Sequence, residues 1–266
     1  MEYTIRPINT GYVTILPKQY LYHHSAVPFI PGISDDKADM PCFCYLVEGD
    51  GKKILVDTGM ADTERANKYH HKGSFQPEGM SVIDQLAKLG IKPEDIDIVI
   101  LTHLHWDHIY YMNLFTNAKF YANKKEYEFA LDPIPLYYKS YEHPSLGIVR
   151  PFEGLEINTT EGDAEIIPGI RVFETPGHSP GSQCVEVDTK EGPYIITGDA
   201  IFILDNIREV PEIGYDVVPP GRYADIISCW RSIEKIKKRM KGVQYLLPCH
   251  DFSMIERSKN TPVIGL

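Results

Sequence analysis

No stretch of this sequence is long and apolar enough to span a bilayer, which argues against a helical membrane anchor. The opening residues, Met1 to Arg6, hold no basic segment followed by a long apolar run, so no secretion signal is expected. Positive charge is in deficit: 27 Lys and Arg face 37 Asp and Glu, a formal net charge of −10. That balance argues against a broad nucleic-acid or anionic-membrane surface. Cysteine is scarce, and Cys42, Cys44, Cys184, Cys229 and Cys249 are odd in number and show no paired CxxC spacing. A reducing, cytoplasmic location fits them, with Cys42 and Cys44 as small core residues on one face of a strand. Low-complexity linkers and repeats are also missing, so residues 1–266 are read as one domain. With 43% hydrophobic residues it has the makings of a substantial core.

What is present alternates strands with helices. Tyr3–Ile8 and Tyr12–Leu16 read as strands joined by an Asn9-Thr10-Gly11 hairpin, and 17–40 as an irregular aromatic loop. Cys42–Glu48 and Lys53–Val56 flank the turn Gly49-Asp50-Gly51. After a polar connection over 59–80, Ser81–Leu89 has a good N-cap, helical apolar spacing and a stop at Gly90. A buried strand over Asp97–Leu101 follows, then a strand at Lys119–Ala122 and a helix at Lys124–Leu131. The segment Ile134–His143 suits either a helical lid or a loop. Short strands at Ala164–Ile167, Ile170–Glu174, Gln183–Val187 and Tyr194–Thr197 suggest a second sheet. The apolar positions of Arg222–Met240 describe an amphipathic helix covering a sheet, and Val243–Leu247 reads as the last strand.

The chemistry gathers at Leu101-Thr102-His103-Leu104-His105-Trp106-Asp107-His108, directly after a strand. Imidazole and carboxylate are ligands that borderline divalent ions prefer, and a solvated loop has no physical need for such a cluster. Thr175-Pro176-Gly177-His178, Thr197-Gly198-Asp199 and Pro248-Cys249-His250 repeat the arrangement of a ligand residue in a turn after an apolar strand. A lone histidine there is more often structural, but the set in this order is specific.

The H-x-H-x-D-H run from His103 to His108, the later His178, Asp199 and His250, and the upstream Asp57-Thr58-Gly59 resemble the metallo-β-lactamase superfamily. The likeness extends from roughly Cys42 to the last strand. It implies an α/β fold, an αββα sandwich of two mixed sheets face to face with helices outside and metals at one edge. It further implies that His103, His105 and His178 bind one metal and Asp107, His108 and His250 the other. Asp199 would bridge the two, and Asp57 would stand beside the site without being a ligand. The cofactors expected are two divalent ions, zinc first, with manganese, iron or cobalt also accepted by such ligands.

Asp199, and the absence of a cysteine from the expected second metal site, resemble the lactonase and glyoxalase II branches more than the true β-lactamases. Only sixteen residues follow His250, short of the helical region that glyoxalase II-like chains append, and no nuclease exosite is evident. The N-acyl-homoserine lactonases are the most similar branch. One departure stands out: where many of those enzymes place a tyrosine three residues after the bridging aspartate, this chain has Phe202, which has no donor.

The expected reaction is metal-assisted hydrolysis of a lactone or related ester. Hydroxide held between the metals would attack the carbonyl, and Asp107 would shuttle the proton to the leaving alkoxide. The alternatives are a mononuclear-iron persulfide dioxygenase and a glyoxalase II-like thioester hydrolase of the same superfamily. Tyr20, Tyr22, Phe29, Tyr69, Tyr137, Tyr138 and Phe202 could wall an apolar pocket, as could Phe75 and Tyr141. Equally, loop aromatics could pack the loops or meet a partner. Trp106 is expected to pack beneath the site, and His23-His24 and His70-His71 to be solvated or loop-packing. The partner expected is a small lactone or ester, with no nucleic acid and no membrane, and with a homodimer left open.

Overall fold

The structure is a computed structural model that describes residues 2–266. Its first half holds β1 (Thr4–Ile15), α1 (Pro17–Tyr20), β2 (Ala38–Gly49), β3 (Lys52–Val56), α2 (Thr63–Tyr69) and α3 (Val82–Lys88). These are followed by β4 (Ile98–Ile100), α4 (Trp106–Ile109), β5 (Lys119–Asn123), α5 (Lys124–Leu131) and β6 (Ile157–Thr160). The second half holds β7 (Ala164–Ile167), β8 (Ile170–Glu174), β9 (Gln183–Thr189), β10 (Gly192–Ile196), α6 (Ile226–Arg239), β11 (Leu246–Leu247) and α7 (Ser253–Asn260). Strands β1 to β6 form one sheet in sequence order, and the other runs β11-β10-β9-β8-β7. Both are mixed. The first is antiparallel through β1-β2-β3 and parallel through β3-β4-β5-β6, whereas the second has a single parallel pair, β10 with β11.

Side-chain alternation along the strands builds the layers. On β2, Phe43, Tyr45 and Val47 point into a core shared with Val172, Val185, Val187 and Ile196 of the second sheet. Cys44 and Leu46 point the other way, into a second core with Val82 and Leu86 of α3 and Ala130 of α5. On the far side Phe173, Cys184 and Ile195 pack against Ile233 and Ile236 of α6. Helix, sheet, sheet and helix therefore stack as an αββα sandwich, the architecture expected.

Local chemistry fixes the helix starts. Ser81 caps α3 by accepting from the Asp84 amide at 3.1 Å, and Asn123 caps α5 by accepting from Lys125 at 2.9 Å. Asp225 caps α6, whose last turn carries Lys237, Lys238 and Arg239 where the helix dipole favours cations. Asp50 and Gly51, with φ of 50° and 69°, make the tight turn between β2 and β3.

Several sequence expectations are corrected. Asn9-Thr10-Gly11 is no hairpin but an irregularity inside one strand, because Asn9 and Tyr12 pair with Phe43 and Pro41 of the same β2. Thr10 turns its hydroxyl inward onto the Cys42 carbonyl at 2.9 Å, which holds the bulge in place. Val243–Leu247 is mostly a 3₁₀ turn over Val243–Tyr245, leaving a two-residue strand. The irregular loop after β1 contains α1 and a 3₁₀ turn at Val27–Phe29, and Ile134–His143 is turns with one 3₁₀ segment at Pro135–Tyr137. Helices α2, α4 and α7 and strand β6 are not foreseen by the sequence patterning. Among the described residues, no helix is long and apolar enough to cross a membrane.

Candidate metal centre

The strand ends supply the site. Asp57 directly follows β3, His103 comes three residues after β4, His178 four after β8, and Asp199 and His250 each three after β10 and β11. Gln183 ties the two sheets together at this edge: its amide donates to the Thr102 carbonyl and its side chain to the Leu101 carbonyl, both at 2.9 Å. The Asp199 turn comes equally close to the His103 loop. Gly198 has φ of 51°, and a Cβ there would stand 2.6 Å from Thr102 Cβ, so only glycine fits.

The seven residues expected as ligands are buried together. Asp199 Oδ2 lies 3.2 Å from His178 Nε2 and 3.8 Å from His103 Nε2, while Oδ1 lies 3.1 Å from His250 Nε2 and 3.2 Å from His108 Nε2. His105 Nδ1 is 3.0 Å from His178 Nε2, and Asp107 Oδ2 is 3.7 Å from His250 Nε2. One carboxylate thus offers an oxygen to each of two groups, His103, His105 and His178 on one side and Asp107, His108 and His250 on the other.

Outer contacts settle which ring nitrogen carries the proton. His108 Nδ1 donates to Asp57 Oδ2 at 2.8 Å, His250 Nδ1 to the Pro41 carbonyl at 2.8 Å and His178 Nδ1 to the Arg222 carbonyl at 3.2 Å. Thr102 Oγ1 donates to Asp57 Oδ2 at 2.7 Å and stands 3.1 Å from His103 Nδ1, which it can accept from. Each of these rings is left with a lone pair on Nε2 directed at the Asp199 carboxylate. The Nε2 atoms of His103, His108 and His250 and Oδ1 of Asp199 are buried without a hydrogen-bond partner, a costly arrangement unless something bonds them. Separations of 3.1–3.8 Å bracket the edge, roughly 3.4 Å, of a tetrahedron whose metal–ligand bonds are about 2.1 Å. The residues fit two borderline divalent cations.

Electrostatics divide the ligands. Burial, reinforced by neighbouring imidazoles, holds His103 and His105 well below the usual histidine range, hence neutral and able to ligate. For Asp199 burial works against the charge, but His250, His108 and His178 outweigh it and hold the carboxyl well below its ordinary range. Burial also opposes charge on His108, yet Asp199, Asp57 and Asp107 prevail and raise it well above the ordinary value, so a cation at its Nε2 has to displace a proton that the same carboxylates attract. Asp57 itself sits in a left-handed conformation, φ 61°, strain that the surrounding hydrogen bonds hold in place.

Cysteine is near after all. Cys42 Sγ lies within 4.8 Å of ligand atoms of Asp107 and His250. It donates to the Asp107 carbonyl at 3.0 Å, and burial pushes its thiol well above the ordinary value, so it stays protonated. It acts as a core residue, as expected from the sequence.

Glu126 of α5 escaped the sequence reading. It is fully buried and accepts from Leu104 N at 3.0 Å, Tyr141 Oη at 2.8 Å, Ser179 Oγ at 2.6 Å and Gly181 N at 3.0 Å. The carboxylate clamps the His103–His105 loop to the loop that follows His178. Nothing in the sequence distinguishes it from other helix glutamates, because its partners come from three separate segments.

A cavity of about 430 Å³ opens over the cluster, and Tyr20, Tyr137 and Phe202 line it. Phe202 is 3% exposed, its ring 5.4 Å from that of His178 and 5.5 Å from that of His250. Other aromatics expected there lie elsewhere. Tyr22 is buried with its hydroxyl on Asp205, Phe29 is exposed on its 3₁₀ turn, Lys68 covers Tyr69, and Tyr138 stacks on His143. Phe75 stacks on Tyr12, and Tyr141 is committed to Glu126. Trp106, read as packing beneath the site, is largely buried but also lines the cavity, stacked on His70 at 4.2 Å. His70 packs against Glu142 at 2.9 Å and His23 against His24 at 4.2 Å, whereas His71 faces the cavity.

Comparison with known proteins gives the same picture. The chain is 34% identical over 188 residues to an N-acyl homoserine lactonase of a Bacillus species, covering 67% of this chain and 71% of that protein. A probable metallo-hydrolase of Methanocaldococcus jannaschii is 30% identical over 190 residues, 71% of this chain and 68% of that protein. Among solved structures, an N-acyl homoserine lactone hydrolase with N-hexanoyl-L-homoserine bound at its catalytic metal center superposes with a TM-score of 0.76. It is 26% identical and is matched over 97% of both chains. The sequence profile described as Metallo-beta-lactamase superfamily matches residues 38–246, and with the ligand order and the αββα sandwich it follows that this chain belongs to the metallo-beta-lactamase superfamily.

Proposed function

We propose that the protein is a dinuclear metal-dependent hydrolase that opens a lactone or cleaves a related carboxylic ester. The observation that carries this reading is Asp199, which presents one carboxylate oxygen to each of two imidazole groups, and among them the Nε2 atoms of His103, His108 and His250 have no hydrogen-bond partner. Two divalent ions, zinc first, suit the donor set of imidazole and carboxylate. When bound, they supply a Lewis acid for the carbonyl and a water acidic enough to attack at neutral pH.

His103, His105 and His178 would hold the first ion and Asp107, His108 and His250 the second, with Asp199 available to both. Asp57 keeps the proton on His108 Nδ1, so Nε2 remains a donor of electrons rather than of hydrogen. Asp107, which lines the cavity, carries the proton lost by the attacking water to the leaving alkoxide. No serine or cysteine nucleophile is required, and the cysteines are buried thiols. Phe202 and Trp106 form apolar wall beside the reacting carbonyl and limit the access of bulk water. The likeness to N-acyl homoserine lactonases supports a lactone as substrate.

Fully metallated protein should release protons from lactones faster than from linear esters or thioesters of matched acyl chain. Inertness toward the whole panel, or one iron per chain with oxygen uptake, would overturn the reading.

A further inference from the structure

The cavity over the cluster has a charge pattern opposite to that of the chain. Its only carboxylates are Asp107 and Asp199, both part of the cluster, while Arg222 and Lys139 also line it. Both cations are exposed and so stand at the mouth rather than the floor. Among the described residues, neither forms an ion pair or hydrogen bond with a carboxylate, in a chain of net charge −10. With ten more acids than bases available, a pair of cations left without carboxylates at the entrance to a reaction site is an anion-binding feature.

Arg222 is also held for the purpose. Its carbonyl accepts from His178 Nδ1 at 3.2 Å, so its backbone is tied to a residue of the cluster. The loop before it is seated on α1: the Gly221 amide donates to the Tyr20 carbonyl at 2.9 Å, and His23 donates to Pro219 at 2.7 Å. The guanidinium lies over the Tyr20 ring, 4.1 Å from its centroid. A guanidinium held over a ring in this way keeps N–H groups for a planar two-oxygen acceptor. His71, beside Tyr20, is kept below the ordinary histidine range by burial, with Arg222 and Lys139 adding to that effect against Asp107. Lys139 shares the cavity lining with Arg222 and His71.

We propose that the substrate carries a carboxylate at the end remote from the scissile ester, and that Arg222, seconded by Lys139, binds it at the cavity mouth. This rests on the lactone or ester reading for the reacting end. The remote group then sets specificity, because a neutral tail leaves the guanidinium solvated and gains nothing from it.

Two matched lactones test this, identical except that the acyl chain ends in a carboxylate or in a methyl ester. Their lactam counterparts, which are not hydrolysed, are titrated by calorimetry into the fully metallated protein. The wild type should prefer the carboxylate member by about tenfold in kcat/KM and in lactam affinity. In Arg222→Gln both ratios should fall towards one, Arg222→Lys should keep part of them, and added salt should erode them in the wild type. Equal wild-type values for the pair would overturn the proposal. So would a preference that survives in Arg222→Gln, since the carboxylate would then be held at the metals. Should neither lactone be hydrolysed while the lactam ratio behaves as described, the ester reading falls and the anion site stands.

Discussion

Asp57 Oδ2 and His108 Nδ1 lie 2.8 Å apart, both fully buried, and through this contact a carboxylate outside the ligand set orients an imidazole inside it. The Thr102 amide and hydroxyl occupy the rest of the Asp57 carboxylate at 2.8 and 2.7 Å. In the site it orients His108 directly and, through the Thr102 hydroxyl, the ring of His103. Asp57→Asn replaces an acceptor with a group that can donate, so the His108 proton is no longer fixed on Nδ1. Metal affinity should fall about 10–100-fold, mainly at the His108 position, as read by competition with a chromogenic chelator. Unchanged affinity would show that Asp57 serves the fold alone.

Glu126 should matter as much without approaching a metal. Glu126→Ala leaves the Leu104 and Gly181 amides and the Tyr141 and Ser179 hydroxyls without their acceptor. A loss of about 3 kcal/mol or more is expected from such stranded donors, together with weaker metal binding as the two ligand loops separate. Denaturant unfolding of the metal-free protein measures the first effect and metal titration the second. A change under 1 kcal/mol, an order-of-magnitude bound, would remove Glu126 from this role.

Glu142 gives a pH dependence of definite sign. Burial alone would raise its pKa, but His70 and Arg65, at 2.9 and 2.7 Å, hold it below the ordinary 4.5. A carboxyl depressed in the folded state adds stability above its unfolded pKa and loses it as pH falls through the folded one. Glu142→Gln should therefore cost on the order of 2 kcal/mol near neutrality, and the difference from wild type should shrink below pH 4.5. Thermal unfolding of both proteins across that range checks it. A gap that widens on acidification would contradict the assignment.

Removing metal should be felt in stability. With free metal about a thousandfold above its dissociation constant, one site contributes about 4 kcal/mol, or roughly 10 °C in Tm for a chain of this size. Chelation that leaves Tm unchanged would mean that the buried Nε2 atoms bind nothing.

How much of this was legible in the sequence depends on how far apart the partners are. His103 to His108 announce themselves because the residues are consecutive and follow an apolar strand, and His178, Asp199 and His250 repeat the same strand-then-ligand arrangement. The Asn9-Thr10-Gly11 segment misled, since residues that favour a turn also suit a bulge, and the choice was made by pairing with β2. Glu126 was illegible because its four donors belong to three distant segments. The aromatic loops were half legible: composition showed many tyrosines, but only the packing of α1 against the 219–222 loop puts Tyr20 at the cavity and leaves Tyr22 behind it.

The central claim is that Asp199 serves two metals at once, one through each oxygen. Metal content per chain, measured after equilibration with zinc and removal of the excess, tests it most directly in wild type and Asp199→Ala. Two ions in the wild type, one or none in the variant and a near-total loss of lactone hydrolysis are predicted. Retention of both ions with wild-type turnover in Asp199→Ala would contradict the account.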